Sequence, residues 1–197
     1  DEVMKDAIRI ATHGRPGPVW IDIPMDVQGA GCFSVEDAIK RAKRPLILAG
    51  NGINCAQARE EFRFFVEQTN VPVVTSYNGV DLISSDDRNF VGRVGIKGTR
   101  AGNFAMQNCD LLLVIGCRLP VPVTGYNYKT FARDAEVIVV DIDKEEHSKD
   151  TIKIDRFIHR DAKDFLDLYW FNRSKDDWNY LCEEWKEKWP VCPLENP

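Results

Sequence analysis

The sequence predicts an α/β fold with a doubly wound, mostly parallel sheet and helices on both of its faces. Several short segments are unbroken runs of Val, Ile and Leu, above all DLLLVIG (110–116) and EVIVVDI (136–142). Such runs are typical of strands that are buried on both faces. Segments with helical spacing separate them, and strands joined through helices must run parallel. A chain of 197 residues is long enough for one such domain with extensions.

The N-terminal residues predict one helix and one strand that belong to a different domain. Apolar residues recur at helical spacing up to Ala11, GRPGP (14–18) breaks the helix, and VWIDIP (19–24) has the composition of a short buried strand. A lone helix and strand cannot bury themselves. We therefore expect residues 1–27 to be the end of a neighbouring domain, residues 28–33 to be a linker, and the chain to be an internal piece of a longer protein.

Strand and helix patterns then alternate over residues 34–170, the predicted central domain. Short apolar runs bounded by turn residues predict strands, and apolar residues three and four apart predict helices. In chain order, the predicted elements are helix SVEDAIKRAK (34–43), strand PLILAG (45–50), helix CAQAREEFRFFVEQT (55–69), strand VPVVTSY (71–77), a short strand NFVG (89–92), helix TRAGNFAMQNC (99–109), the strands DLLLVIG and EVIVVDI, a helix that begins at DKEEH (143–147), strand DRFIHR (155–160) and helix DAKDFLDLYWF (161–171).

Residues 171–197 predict a helical tail followed by a linker to a further domain. The segment DDWNYLCEEWKEKW (176–189) has helical spacing, and the proline-rich end of the chain has the composition of a linker. Tryptophans on an otherwise charged helix indicate that it packs against another surface. The predicted apolar stripe of this helix consists of Trp178, Leu181, Trp185 and Trp189.

Composition and charge argue against several classes of protein. The net charge of −5 disfavours a nucleic acid or an anionic membrane as the main partner. No apolar run approaches the roughly 18 residues of a membrane span, and the first residues lack the pattern of a secretory signal. The three histidines are scattered and indicate no metal cluster. We expect a cytoplasmic protein whose six cysteines are free thiols, namely Cys32, Cys55, Cys109, Cys117, Cys182 and Cys192.

The carboxyl ends of the predicted strands carry the pattern of a nucleotide site. In an open parallel sheet, ligands bind outside these ends, where glycine lets the backbone approach a phosphate and a carboxylate accepts from ribose hydroxyls. A strand-to-helix turn also needs glycine without any ligand, so a structural role is equally open. The candidate segments are Gly50-Asn51-Gly52, Ser76-Tyr77-Asn78-Gly79, Gly116-Cys117-Arg118 and Asp141-Ile142-Asp143, together with the glycine cluster Gly92, Gly95 and Gly98.

Other patterns of the sequence disfavour an ordinary dehydrogenase or hydrolase. Cys55 stands where the dinucleotide fingerprint has its third glycine. Cys117 has no histidine placed to activate it, which favours a buried, inert thiol. Asp141 and Asp143 alternate along a strand, so we expect their side chains to face opposite ways rather than to form an acid–base pair. The sequence therefore predicts no catalytic residue.

The chain resembles the thiamine-diphosphate enzymes of the acetolactate synthase type. GRPGPVWIDIPMDVQ resembles the end of their pyrimidine-binding domain. Four further segments resemble their central domain in the same order, and the resemblance covers nearly the whole chain: KRAKRPLILAGNGI, VPVVTSYNGVDLI, VGIKGTRAGNFAMQNCDLLLVIGCRL and VTGYNYKTFARDAEVIVVDID.

The resemblance implies an enzyme with a pyrimidine-binding, a central and a pyrophosphate-binding domain, assembled as a homodimer or homotetramer. The central domain would have a Rossmann-like, DHS-like NAD/FAD-binding fold. Thiamine diphosphate and Mg²⁺ would bind in the two outer domains, so the central domain would be catalytically inert alone. The whole enzyme would decarboxylate a 2-oxo acid and pass the product to an acceptor. The alternative is a regulatory or electron-transfer module that binds FAD or NAD without thiamine chemistry.

The resemblance also implies that the central domain holds FAD, ADP or no nucleotide. Two segments depart from the family pattern. Residues 116–122 read GCRLPVP where the family typically reads GARFDDR, and Lys97 replaces a histidine. Carried over to this chain, the FAD-contact motifs fall on Arg15, Gly50, Asn51, Gly52, Ser76, Tyr77, Asn78, Gly95, Ile96, Lys97, Gly98, Gly116, Cys117, Arg118, Asp141, Ile142, Asp161 and Ala162.

Overall fold

The computed structural model describes residues 2–23, 33–168 and 171–191. The chain divides into two compact units, residues 1–34 and 35–197. The predicted linker, apart from its last residue, and the end of the proline-rich tail lie outside the described residues. Cys32 and Cys192 lie outside them as well.

The first unit contains the predicted helix but not the predicted strand. Helix α1 spans Glu2–Thr12 and is followed by a bend and an extended segment. The prediction of a buried strand is wrong for residues 19–23, which have no regular secondary structure, and Trp20 is 92% exposed. A strand is stabilised by hydrogen bonds to a neighbouring strand, and no second strand is described in this unit.

The second unit is built on a six-stranded sheet in which every pair of neighbouring strands is parallel. The strands are β1 (Pro45–Ala49), β2 (Val73–Thr75), β3 (Phe90–Arg93), β4 (Leu111–Ile115), β5 (Glu136–Asp141) and β6 (Arg156–His159). Their order in the sheet is β3-β2-β1-β4-β5-β6. The predicted parallel sheet is therefore confirmed, including the short third strand.

Seven helices of the second unit lie within the described ranges. They are α2 (Val35–Arg41), α3 (Gly52–Cys55), α4 (Arg59–Thr69), α5 (Arg100–Asn108), α6 (Val121–Thr124), α7 (Ala162–Leu166) and α8 (Asp177–Lys188). Short 3₁₀ turns at Tyr77–Gly79, Tyr128–Thr130 and Glu146–Ser148 follow β2, α6 and β5.

Three predicted helices differ from those observed. The helix predicted over 55–69 is divided into α3 and α4, because Gln57 has a positive φ of 54° that no helix continues through. The helix expected from DKEEH is a single 3₁₀ turn, and Lys149 after it is extended. Helix α7 begins after Asp161, whose side chain accepts from the Lys163 N–H, and ends earlier than predicted.

Both faces of the sheet are buried, as the apolar strands predict. Leu46 and Leu48 of β1 belong to one cluster with residues of α5 and α8. Ile47 is also fully buried, and strand alternation places it on the opposite face. On that side α4 packs against α7, with the rings of Phe65 and Phe165 6.3 Å apart. Helices therefore cover both faces.

The tryptophan-rich helix α8 packs on the second unit itself. Trp178 and Cys182 are buried, Trp185 packs against the same core cluster, and the ring of Phe104 on α5 lies 4.9 Å from that of Trp189. Leu181, which was predicted in the stripe, is instead 37% exposed. The four packed positions follow a spacing of four, three and four residues, so Cys182 takes the place expected for Leu181.

Four cysteines within the described residues are free thiols, as predicted: Cys55, Cys109, Cys117 and Cys182. None of the helices in the described ranges is long and apolar enough to cross a membrane.

Candidate functional site

The strand order places a crevice at the carboxyl ends of β1 and β4. From β1 the chain proceeds outward through β2 to β3, and from β4 it proceeds in the other direction to β6. Connections on the two sides of this switch point leave the sheet in opposite directions, which opens a crevice where parallel α/β folds bind ligands. The turns that follow β1 and β4 therefore form its floor.

Two glycine turns pack back to back at this switch point. The Gly52 N–H donates to the Gly116 carbonyl oxygen (2.8 Å), and Gly50 N–H donates to the Ile115 oxygen (2.9 Å). A Cβ on Gly116 would lie 2.7 Å from Gly52 Cα and 2.9 Å from the Ile53 nitrogen. Since these neighbours are backbone atoms, the glycines are required by the packing of the two turns, whether or not a ligand binds.

A cleft of about 860 Å³ opens above these turns. Its volume lies in the range of small-molecule and cofactor sites. Residues that follow β1, β2, β3, β4 and β5 all contribute to it, and we call it the nucleotide cleft because the sequence predicts a nucleotide site at these strand ends. The cleft is lined by Asn51, Gly52, Cys55, Ser76, Tyr77, Asn78, Arg93, Val94, Ile96, Lys97, Gly116, Cys117, Arg118, Pro120, Pro122, Val123, Asp141, Ile142 and Asp143.

Three exposed apolar side chains from different loops line the nucleotide cleft. Tyr77 is 60% exposed, Ile96 74% and Ile142 64%. The Lys97 ammonium lies 5.5 Å from the centre of the Tyr77 ring, a cation–π distance. Apolar surfaces with a few polar groups between them suit a flat ring system with polar substituents.

The nucleotide cleft contains cations on one side and carboxylates on the other. Arg93 is the last residue of β3 and Arg118 follows β4, and neither forms an ion pair with another described residue. At the end of β5, Asp141 Oδ1 accepts from the Asp143 N–H and Asp143 Oδ1 from the Glu146 N–H, each at 3.0 Å. Unpaired guanidinium groups favour an anion, and carboxylates can accept from hydroxyl groups.

The two aspartates do not alternate across the sheet as expected. Strand β5 ends at Asp141, so the period of two does not extend to Asp143, and both residues line the nucleotide cleft. Each carboxylate nevertheless accepts from a nearby backbone N–H. The arrangement caps the turn after β5 and does not form an acid–base pair.

A buried histidine contacts the cleft aspartate. His147 Nε2 lies 3.3 Å from Asp141 Oδ2, and the two side chains are 4% and 10% exposed. The His147 ring lies 5.4 Å from that of Phe157 on β6. Burial alone would raise the pKa of Asp141, but His147 and the N–H groups of Asp143 and Ile142 stabilise the carboxylate and hold its pKa below the usual value.

The Cys117 thiol is buried, as predicted, although it lines the cleft. Burial raises its pKa to about 11, because the thiolate would lose its solvation. A thiol with this pKa is protonated at neutral pH and is a poor nucleophile.

Most of the predicted site residues come together in the nucleotide cleft. Twelve of them line it: Asn51, Gly52, Ser76, Tyr77, Asn78, Ile96, Lys97, Gly116, Cys117, Arg118, Asp141 and Ile142. The others do not. Gly50 and Gly95 pack against the backbone at Gly116 and Pro122, and Gly98 packs against the Arg93 oxygen. Asp161 and Ala162 begin α7 without lining the cleft, and Arg15 lies in the first unit.

Six lining residues were not predicted as site residues from the sequence, namely Cys55, Arg93, Val94, Pro120, Pro122 and Val123, whereas Asp143 was part of a predicted strand-end segment. Arg93 ends strand β3 and Val94 follows it, and a position at a strand end is a signal that the sequence does contain. The prolines precede or begin the short helix α6, and the Ile96 N–H donates to the Pro122 oxygen (2.9 Å). Nothing in the local sequence indicates that contact.

Residues 34–168 match the family model of the thiamine pyrophosphate enzyme central domain. This match covers the whole sheet and every segment that lines the nucleotide cleft.

The chain belongs to this family. Curated relatives include the acetolactate synthase isozyme 2 large subunit of Escherichia coli (36% identity over 167 residues, 75% of this chain and 30% of the relative) and a probable acetolactate synthase large subunit of Methanococcus aeolicus (36% over 189 residues, 82% and 31%). Acetolactate synthase 1 of Zea mays is 34% identical over 173 residues (75% and 27%). The chain thus spans less than a third of the length of these relatives.

The thiamine enzyme central domain of this chain has an apolar wall where the family pattern has charges. Residues 116–122 lack the acidic pair and the second arginine expected from the resemblance. The structure places Pro120 and Pro122 in the lining, and α6 begins at Val121. This wall of the cleft is therefore less polar than the family pattern implies.

Asp141→Asn is expected to change how the stability of this central domain depends on pH. Because the folded pKa of Asp141 is below the usual value of about 3.9, its stabilising effect is complete above that pH and is lost as the pH falls through the folded pKa. The stability difference between wild type and variant should therefore shrink as the pH falls below about 4. Urea unfolding at several pH values measures it.

The exposed residue Asp150 provides the control for loss of one carboxylate. A difference between wild type and Asp141→Asn that stayed the same from pH 7 to pH 3 would contradict the stabilising role of the His147 and backbone contacts.

Proposed function

We propose that this chain is the central domain of a thiamine-diphosphate-dependent enzyme that decarboxylates a 2-oxo acid and transfers the product to an acceptor. The main support for this function is the family match over residues 34–168, together with relatives named as acetolactate synthase large subunits. Bound thiamine diphosphate supplies the electron sink for loss of CO₂. We propose that it binds, with Mg²⁺, in the pyrimidine- and pyrophosphate-binding domains of the whole enzyme.

In this proposal the chain positions other parts of the enzyme and supplies no catalytic residue. Within the described residues, the Asp141 and Asp143 carboxylates of the cleft accept from backbone N–H groups in the turn after β5, and the Cys117 thiol is protonated at neutral pH because burial raises its pKa to about 11. We therefore expect no turnover of 2-oxo acids by this chain with thiamine diphosphate and Mg²⁺. CO₂ release and carboligation products are the readouts. Substantial turnover by the chain alone would contradict the assignment.

We further propose that the nucleotide cleft holds an adenine nucleotide, with FAD as the first candidate. Adjacent strands lie about 4.8 Å apart, so the exits from β3 to β5 span roughly 19 Å, enough for an extended dinucleotide. Arg93 and Arg118 would hold the diphosphate, and Asp143 would accept from ribose hydroxyls. Tyr77 and Ile96 would pack against the rings. These groups fit the chemistry of FAD.

Titration with FAD, ADP and NAD tests which nucleotide binds in the nucleotide cleft. A ligand at 100 times its dissociation constant adds about 2.7 kcal/mol of stability, so thermal unfolding should shift with the nucleotide that binds. The span of the five strand exits suits FAD, whereas ADP is the expected ligand if the apolar wall that contains Pro120 and Pro122 excludes the flavin. No shift and no calorimetric heat with any of them would contradict the proposal.

Arg118→Gln is expected to lower the affinity for the nucleotide at least tenfold, because a charge-assisted hydrogen bond is worth about 1.5–3 kcal/mol. Arg133→Gln is the matched control, since Arg133 is exposed, pairs with its neighbour Asp134 and does not line the cleft. Isothermal titration calorimetry measures both. Equal affinity of the two variants would place the diphosphate elsewhere.

The family match does not favour an FAD- or NAD-binding module without thiamine chemistry. We propose that the partners of this chain are the outer domains of the same enzyme, in a homodimer or homotetramer. We also propose a cytoplasmic location. The free thiols of the described cysteines support a reducing compartment.

A further inference from the structure

A second cleft lies beside the nucleotide cleft, between the β3–α5 loop and the C-terminal end of α8. Its volume is about 510 Å³. We call it the basic cleft. It is lined by Arg93, Lys97, Gly98, Thr99, Arg100, Lys188, Trp189, Pro190 and Val191.

The basic cleft is lined by cations without a counter-charge. Four of its nine lining residues are basic, namely Arg93, Lys97, Arg100 and Lys188, and none is acidic. Within the described ranges, no carboxylate forms an ion pair with any of the four. A cleft lined by one sign of charge focuses its field and attracts the opposite charge. In a chain with a net charge of −5, this concentration of cations is not explained by composition.

Tertiary packing creates the basic cleft. Helix α8 lies against α5 and β3, and the Phe104 ring is 5.9 Å from Trp185 and 4.9 Å from Trp189. This packing brings Lys188 to the same cleft as Arg93 and Arg100, although nearly half of the chain separates them. The convergence therefore depends on α8 being docked on the central domain.

We propose that the basic cleft binds the di- or triphosphate group of a phosphorylated small molecule. Two guanidinium groups match phosphate oxygens in bidentate geometry, and two ammonium groups add point charge. A volume of about 510 Å³ suits a small molecule rather than a nucleic acid strand. Arg93 and Lys97 line both clefts, so a phosphate group here lies next to the nucleotide cleft. The proposal does not require that cleft to be occupied.

Calorimetric titration of the chain with inorganic tripolyphosphate and pyrophosphate tests this site. We expect binding of both, tighter for tripolyphosphate, and a loss of affinity of about tenfold or more in the double variant Arg100→Gln/Lys188→Gln. These residues line the basic cleft only, and both are exposed, so the fold should persist. Circular dichroism checks it. The double variant Lys129→Gln/Arg133→Gln removes the same charge from exposed residues outside both clefts.

The outcomes separate this site from the nucleotide cleft. Wild-type affinity in Arg100→Gln/Lys188→Gln would overturn the proposal, since the anion would then bind elsewhere. An equal loss of tripolyphosphate affinity in the control variant would show that only the net charge matters, and it would overturn the proposal as well. No binding of tripolyphosphate to the wild type would do the same. Failure of FAD, ADP and NAD to bind, with tripolyphosphate bound normally, would contradict the proposed nucleotide and leave the proposal for the basic cleft intact.

Discussion

Replacing Gly116 with alanine is expected to lower the free energy of unfolding by about 3–5 kcal/mol, among the largest effects of a single substitution. Gly116 has a φ of +58°, and a Cβ there would lie 2.7 Å from Gly52 Cα and 2.9 Å from the Ile53 nitrogen. Backbone atoms cannot move aside as a flexible side chain can, so the two glycine turns would have to separate. Urea unfolding of wild type and variant measures the loss.

Gly125→Ala is the matched control for this prediction. Gly125 also has a positive φ, of +73°, but a Cβ there would have no heavy atom within 4 Å. Backbone strain alone should cost about 1–3 kcal/mol. The excess loss in Gly116→Ala therefore measures the packing of the two turns. If both substitutions cost the same, close turn packing would not be what requires glycine at the switch point.

Trp178→Ala is expected to cost about 3–5 kcal/mol and to release α8 from the sheet. Trp178 is 4% exposed, its ring lies edge-on to Trp185 at 5.7 Å, and its Nε1–H donates to the Pro45 oxygen (2.9 Å). Truncation leaves a cavity and removes the donor from a buried carbonyl. Because Lys188 and Trp189 reach the basic cleft only through this packing, tripolyphosphate binding should weaken as well.

Two further variants separate packing from hydrogen bonding at this position. Trp178→Phe keeps most of the apolar contact but leaves the Pro45 oxygen unpaired, so we expect a smaller loss of about 1–3 kcal/mol. Tyr180→Ala changes a residue on the same helix that is 60% exposed and should stay within about 0.5 kcal/mol of wild type. Equal stability of Trp178→Ala and Tyr180→Ala would show that α8 does not stabilise the sheet.

The local sequence was enough to predict the elements whose burial is continuous. DLLLVIG and EVIVVDI contain β4 and β5 because an unbroken apolar run is satisfied only inside a sheet covered on both faces. The local sequence was a less reliable guide where a single backbone angle determines whether a helix continues. Gln57 at φ 54° divides a pattern that otherwise predicts one helix, and no residue type at that position announces it. Residues 19–23 of the first unit have the composition of a strand, but the described part of that unit holds no neighbouring strand.

The candidate site also has features that the sequence predicted and features that it did not. Polar and glycine residues after each strand were recognisable, since parallel strands present their carboxyl ends at one edge. The apolar wall with Pro120 and Pro122 could not be recognised from the sequence, because it depends on where α6 packs. The joint position of Asp141 and Asp143 could not be recognised either, because it depends on where β5 ends. The basic cleft depends on Lys188 and Arg93 lining the same space, although nearly half of the chain separates them.

By itself, the sequence determined that this protein has a parallel sheet, which segments form its strands, and which residues follow them. Those properties depend on local burial and on the handedness of the chain, and each can be read within about ten residues. Only the tertiary structure decided that β1 lies beside β4, that Gly50, Gly52 and Gly116 serve turn packing, and that α8 completes a second, cationic cleft. The reason is physical: adjacency between distant segments is set by the packing of the whole core, which no local pattern contains.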